Sequence, residues 1–424
     1  MNVYVNPPKE DWEELLKRPV FDQGELEDKV SQVLKTVKKG GDAALKEFTK
    51  TFDQVALDSL IVSEAEIATA HTQVDSELKS AIDLAIKNIT LFHEAQVEPV
   101  KKVETMPGVV CWRENRAIDK VGLYVPGGTA PLFSTVLMLG IPAKIAGCQE
   151  IVLCTPPQKE GSIHPAILYA AHSIGVTKII KVGGAQAIAA MTYGTESVPS
   201  VFKIFGPGNQ YVTCAKQLIT REGVAIDMPA GPSEVAVMAD DQSNPVFVAS
   251  DLLSQAEHGK DSQVILLATS EQFVEKVQQQ IEEQLKNLPR AEFAQLALRN
   301  SKAFVISNME TLLELTNQYA AEHLVIHNVE ARKLATQIRN AGSVFIGPYT
   351  PESAGDYASG TNHTLPTNGY AKAYSGVSID SFIKKVTFQE ITKAGLSVLG
   401  PIVEVMSENE QLIAHQQAVS LRLK

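Results

Sequence analysis

Gln255 and His258 stand three apart in Leu253-Ser-Gln-Ala-Glu-His258, just before Gly259. On a helix that spacing puts both side chains on one face, so an amide oxygen and an imidazole could grip one ion. Asp356, in Ala354-Gly-Asp-Tyr357, could add a carboxylate. His415, with Glu410 five residues ahead of it, could add a second imidazole. One Asp and two His with an oxygen donor suit a hard-to-borderline metal. An amide is an unusual zinc ligand and the four residues are far apart, so a plain surface reading stays open. A second pair is Glu322-His323. A His titrates near neutrality and a Glu can orient water. A helix-end carboxylate beside a satisfied imidazole is the alternative.

Three Gly-rich turns carry a different chemistry: Pro126-Gly-Gly128, Gly183-Gly-Ala-Gln186 and Gly206-Pro-Gly-Asn209. Glycine lets a backbone approach a phosphate, and a following helix N-terminus favours anions. No full G-x-G-x-x-G occurs, since Tyr211 stands where the third Gly would be. Dinucleotide binding and simple turn chemistry both fit. The four cysteines, Cys111, Cys148, Cys154 and Cys214, form no C-x-x-C pair. They read as buried small hydrophobes, not as an aldehyde-oxidising thiolate.

The elements that must position these groups fall into two series. Val121–Val125, Ile151–Cys154, Ile179–Val182 and Val201–Phe205 each end in Gly or Pro and precede a helix. Glu234–Met238, Gln263–Leu267, Ala303–Ile306, His323–Ile326 and Ser343–Ile346 repeat the pattern. Such alternation predicts an α/β fold of parallel, helix-covered sheets. Residues 1–22 read as an arm with a short helix from Asp11. Residues 25–50 and 63–98 read as amphipathic helices, with Ser63 and Glu66 forming a capping box. The expected division is a discontinuous lobe, 23–120 with 235–375, carrying the metal and the catalytic pair. The other lobe, 121–234, takes the dinucleotide side. A tail, 376–424, ends in a helix over Glu408–Leu421. The Gly-, Ser-, Thr- and Pro-rich stretch Pro351–Tyr374 reads as a long ordered loop or a functional one.

The totals exclude other classes. Net charge is -11 over 424 residues, with no basic stripe, which disfavours nucleic acid or an anionic membrane as the main partner. The uncharged run Val121–Ala143 holds Pro126, Pro131 and Pro142, so it reads as strand, loop and helix rather than a membrane span. The N-terminus has no apolar signal core, and a reducing cytoplasm is expected.

In order and with close spacing, several longer motifs resemble L-histidinol dehydrogenase. They are Val121-Gly-Leu-Tyr-Val-Pro-Gly-Gly128, Val182-Gly-Gly-Ala-Gln-Ala-Ile188, Phe205-Gly-Pro-Gly-Asn209, Asp227-Met-Pro-Ala-Gly-Pro-Ser-Glu234, Leu253–His258, Ala321-Glu-His-Leu324, Gly355–His363 and the terminal His415. The resemblance implies a zinc-dependent, NAD-linked enzyme that oxidises L-histidinol to L-histidine through bound histidinal. It implies one zinc per subunit, held by Gln255, His258, Asp356 and His415, and a catalytic pair Glu322 and His323. Ser233, His363 and Glu410 would contact substrate, together with the zinc ligands and His323. Tyr124, Gln186 and Asn209 would hold the dinucleotide. It further implies an intertwined homodimer of two incomplete Rossmann-like lobes, whose tail completes the partner's site. One departure is Ala321, where the family more often has Pro.

Overall fold

The computed structural model describes residues 1–18, 23–127, 130–229 and 231–424. Gly128, Ala230 and the end of the arm lie outside the described residues. The arm is anchored, because β1 (Asn2–Val5) pairs in parallel with the strand at 302–305. A short α1 (Trp12–Leu15) buries Trp12. Next, α2 (Gln23–Phe48) is broken at Gly41, where φ is 53° and ψ is -138°. The capping box forms at Ser63 and opens α3 (Glu64–Gln73). The expected single helix over 63–98 is two, since Asp75 caps a separate α4 (Ser76–Glu94).

A hairpin of β2 (Lys102–Met106) and β3 (Val109–Ala117) follows. Then comes the first βα series: β4 (Lys120–Tyr124), α5 (Phe133–Ala146), β5 (Glu150–Thr155), α6 (Pro165–Ser173), β6 (Lys178–Lys181), α7 (Gly184–Tyr193), β7 (Lys203–Phe205), α8 (Gln210–Ile219) and β8 (Ala225–Ile226). The second is β9 (Glu234–Ala239), α9 (Pro245–Ala256), β10 (Gln263–Ala268), α10 (Glu271–Leu285), α11 (Ala291–Arg299), β11 (Lys302–Val305), α12 (Met309–Tyr319), β12 (His323–His327), α13 (Ala331–Ala335) and β13 (Ser343–Ile346). The chain ends through α14 (Glu352–Tyr357), β14 (Ile383–Ile391), α15 (Lys393–Asn409) and α16 (Ile413–Leu423).

Both large sheets are parallel and share one plan. The first has the order β6-β5-β4-β7-β8, the second β1-β11-β10-β9-β12-β13. In each, the first strand of the series is central and the order reverses beside it, which creates a switch point. Two buried apolar clusters flank each sheet. This matches the expected pair of incomplete Rossmann-like lobes.

Three expectations need correction. The helices before residue 120 do not join the 235–375 lobe. Instead α2 packs on α7 and α8, α3 on α6, and α4 on α5. Ile61 also bridges to Ile180 at the edge of the first sheet. Their order in the chain carried no information about which sheet offered an uncovered face. Second, β14 pairs antiparallel with β3 to form a three-stranded sheet with β2. Its strands are dense in Lys, Arg and Glu and mostly exposed, so no apolar alternation marks them. Third, the tail is a helical hairpin, α15 and α16, that turns at Gln411 (φ 62°).

Candidate active site

The two sheets face each other across a cleft of about 840 Å³. In the first lobe its wall comes from the C-terminal ends of strands: Pro126 follows β4, and Pro207 to Asn209 follow β7. That is the usual ligand edge of an open α/β sheet. The second lobe is presented the other way round. Ser233 precedes β9, while Glu322 and His323 sit where β12 begins. The cleft therefore joins the carboxyl edge of one sheet to the amino edge of the other.

Glu322 and His323 meet at a single residue of the neighbouring strand. The N–H of Glu234 donates to Glu322 Oε2 (2.9 Å), and His323 Nδ1–H donates to the Glu234 carbonyl (3.3 Å). This follows from register: β12 pairs with β9, His323 lying opposite Val235. The bond fixes the Nδ1–H form of the ring. Nε2 is thereby turned towards Asp356 Oδ1, 3.5 Å away. Both residues are buried. Burial pushes the Glu322 carboxyl up to about 8. Burial alone would lower His323, but Glu352, Glu322 and Asp356 outweigh it and hold the imidazole well above its usual range. Burial would raise Asp356, but the His323 imidazole beside it outweighs burial, so the carboxyl stays low. The helix before the pair ends at Tyr319, three residues earlier than Glu322, with Ala320 in the left-handed region at φ 55°.

Whether these groups suit a metal can be judged from their orphaned atoms. His323 Nε2, Asp356 Oδ1 and Glu352 Oε2 are buried without a hydrogen-bond partner. Among the described residues, His323, Glu352 and Asp356 offer ligand atoms within 4.8 Å of one another. Burial pushes Glu352, like Glu322, up to about 8, and a divalent cation among these carboxyl groups would let them ionise. Only Asp356 is common to this cluster and to the expected ligand set. Gln255 and His258 line the same cleft. The Gln255 amide sits best with Nε2 towards Glu352 Oε1 (2.8 Å) and its oxygen towards the Glu234 N–H (2.9 Å). That oxygen keeps a second lone pair. His258 opens onto the cleft, whose walls hold its imidazole below the usual range. The donor set fits a dication, with Asp356 shared by both groupings. Gly259 does not terminate the helix: α9 ends at Ala256, and the His258 N–H bonds the Gln255 carbonyl (3.2 Å) in the turn beyond.

His363 completes this end of the cleft. Its Nδ1–H donates to the Asp356 carbonyl (2.9 Å), and its Nε2 accepts from Thr135 Oγ1 (3.1 Å). Burial keeps the ring below its usual range. Towards the first lobe, Asn209 lines the cleft and caps α8, its Oδ1 accepting from Tyr211 and Val212 N–H. Tyr124 and Gln186 are buried behind that wall. The Tyr124 hydroxyl accepts the Gly184 N–H (3.0 Å) at the start of α7.

The family model for histidinol dehydrogenase matches residues 16–423. The chain belongs to the histidinol dehydrogenase family. It is 61% identical over 424 residues to the histidinol dehydrogenase of Bacteroides fragilis (strain YCH46), covering 100% of this chain and 99% of that one. It is 53% identical over 413 residues to the chloroplastic histidinol dehydrogenase of Arabidopsis thaliana, covering 97% and 88%. The crystal structure of histidinol dehydrogenase from Elizabethkingia anophelis matches with a TM-score of 0.98 at 54% identity, over 100% of this chain and 98% of that one. As a member of the histidinol dehydrogenase family, the chain is an oxidoreductase of histidine biosynthesis that acts on histidinol. Among the described residues, no helix is long and apolar enough to cross a membrane.

Two expected site residues stand apart. His415 and Glu410 are exposed on the tail and do not line the cleft. No residue of α16 is buried, and α15 exposes Val398, Ile402, Val405 and Met406. Two residues of the site escaped the sequence reading. Glu352 is four before Asp356 and shares its helix face, but a six-residue helix shows no period. Glu234 looked like an ordinary strand residue. Of the cysteines, Cys154 and Cys214 are buried and Cys111 and Cys148 partly so. Burial pushes the Cys148 thiol up to about 11 and Cys154 higher still, which disfavours thiolate catalysis.

Proposed function

We propose that the chain carries L-histidinol through two successive oxidations to L-histidine, with Glu322 and His323 as the working pair. The observation behind this is the placement of His323. Its Nδ1–H is spent on the Glu234 carbonyl and its Nε2 has no partner, next to a buried carboxyl. With the charge of the surrounding carboxyl groups balanced by a bound dication, the His323 ring would be neutral, and in the first oxidation its Nε2 takes the alcohol proton as hydride leaves the carbon. Glu322 then takes a proton from water as the water oxygen bonds the aldehyde carbon, and His323 returns its proton to the carbonyl oxygen. In the second oxidation Nε2 takes a proton from the hydrate as the second hydride leaves. NAD would be held by Asn209 on the first-lobe side of the cleft and by Tyr124 and Gln186, and would supply the two-electron acceptor. Ser233 and His363 flank the substrate end.

Zinc would be held by Gln255, His258 and Asp356 of one chain and by His415, and would supply an anchor and positive charge without redox chemistry. His415 and Glu410 would come from the partner of a homodimer. The exposed apolar face of α15 and the absence of any fully buried residue along α16 support an exchanged tail. Four free thiols suit a reducing cytoplasm.

The test is Glu322→Gln, with histidinol and histidinal supplied separately. We expect the histidinal step to slow by about 10²–10⁴-fold, the usual scale of general-base loss, and the histidinol step to fall much less. A second oxidation as fast as wild type beside a damaged first would refute the assignment. For the four-electron reading, about two NADH per histidinol are expected, and a chelator should abolish turnover.

A further inference from the structure

Arg18 closes the described part of the arm and does not line the cleft. Its guanidinium nonetheless grips both chain segments that carry the working pair. Nε and Nη2 bind the two oxygens of Glu234 at 2.8 and 3.0 Å. Nη2 also donates to the Tyr319 carbonyl (2.6 Å), and the guanidinium lies over the Tyr319 ring at 3.9 Å. Glu234 is the residue whose own N–H and C=O hold Glu322 and His323. Tyr319 ends α12, immediately before the 320–323 turn into β12. The clamp is enclosed, with side-chain exposures of 12% for Arg18 and 1% for Glu234. The Tyr319 hydroxyl extends it, donating to Gln263 Oε1 at 2.9 Å.

We propose that Arg18 is a positioning residue for the oxidation, fixing Glu234 and Tyr319 so that one residue of β9 holds both Glu322 and His323. The docked arm is thereby a working part of the site. This rests on the reading of Glu322 and His323 as the pair that moves protons. The physical basis is the fork. A planar guanidinium can satisfy both carboxylate oxygens and a carbonyl in one geometry, whereas an ammonium cannot. Loss of the fork lets β9 and the 319–323 segment shift against each other. A displacement of about 1 Å can cost up to about 10²-fold in rate.

The experiment is Arg18→Lys in the full-length protein, in wild-type and Glu322→Gln backgrounds. Kinetics with histidinal are read beside bound metal content and thermal midpoint. We expect kcat to fall about ten-fold, with KM for NAD and metal content unchanged. In the Glu322→Gln background the same change should cost less, because the share that acts through that carboxyl is already lost. Wild-type kcat for Arg18→Lys, or equal costs in both backgrounds, overturns the proposal. If the lysine variant does not fold, Glu234→Gln, which keeps the amide in the clamp, is judged by the same two readouts. Wild-type rates for Glu322→Gln alone would instead remove the working-pair reading. An inactive Glu322→Gln with a fully active Arg18→Lys removes only the role of Arg18.

Discussion

Replacing Lys216 by Met should loosen the first lobe at the cleft wall formed by Pro207 to Asn209. Lys216 Nζ lies 2.5 Å from Asp227 Oδ1, with side-chain exposures of 4% and 2%. It also donates to the Gly206 carbonyl (2.8 Å), while Asp227 Oδ2 accepts the Gly206 N–H (2.8 Å). Both polar atoms of Gly206 are thus held by one buried pair. Gly206 has φ 125°, and a Cβ there would meet the Tyr124 carbonyl at 2.0 Å. The loop therefore needs both the glycine and the clamp. Met keeps the apolar stem and removes the ammonium. Breaking a buried pair by one partner costs about 3–5 kcal/mol. Asp227 keeps N–H donors from Gly206 and Met228, so the low end, about 3 kcal/mol, applies. With a urea slope of about 3 kcal/mol/M, the midpoint for this lobe falls by about 1 M. Far-UV circular dichroism is the assay, because the two tryptophans, Trp12 and Trp112, lie outside the five-stranded sheet. Lys216→Met/Asp227→Asn removes the orphaned charge while the amide oxygen can still accept the Gly206 N–H, and should recover part of the loss. A double variant less stable than the single one would refute the argument. On the proposed cofactor reading, Lys216→Met also raises KM for NAD more than it lowers kcat.

Asp53 gives a pH signature. Burial pushes its carboxyl up to about 6, and its Oδ2 has no hydrogen-bond partner. A raised folded pKa means stability is retained below the unfolded value near 4 and lost as pH rises through about 6. Asp53→Asn should therefore gain about 1 kcal/mol on the wild type between pH 4 and pH 8, after discounting for partial exposure. Thermal midpoints at the two pH values check this, and a parallel pH dependence would contradict it. For the exchanged tail, mixing inactive His415→Ala and Glu322→Gln subunits should restore about a quarter of wild-type activity, since one site in a mixed dimer is intact. No recovery after subunit exchange would place both residues in the same chain's site.

The βα alternation was legible because each central strand is buried on both faces and so reads as an unbroken apolar run between turns. β9, β10 and β12 are buried at every position. The capping box at Ser63 was legible for a local reason, since both its bonds span three residues. The N-terminal strand was not, because Asn2 to Val5 is mostly exposed and is a strand only by virtue of β11 beside it. Gln255 and His258 could be paired from spacing alone, yet the helix stops between them, so they share a cleft rather than a helix face. Glu352 and Arg18 had no local mark. Arg18 and Glu234 are 216 residues apart.

By itself, then, the sequence determined two βα series, the residue types able to bind a cation and move protons, and the family resemblance carried by the longer motifs. Tertiary structure alone decided three things. It assigned the helices before residue 120 to the first lobe, because that sheet had faces to cover. It set the second sheet with its amino edge to the cleft, which brings the start of β12, with Glu322 and His323, opposite the carboxyl edge of the first sheet. It also surrounded His323 with carboxyl groups from two segments, the start of β12 and α14, which shifts its proton affinity. Local periodicity reports which face of an element is buried. It carries no trace of which distant element does the burying, and both the geometry and the charge of this site arise from that choice.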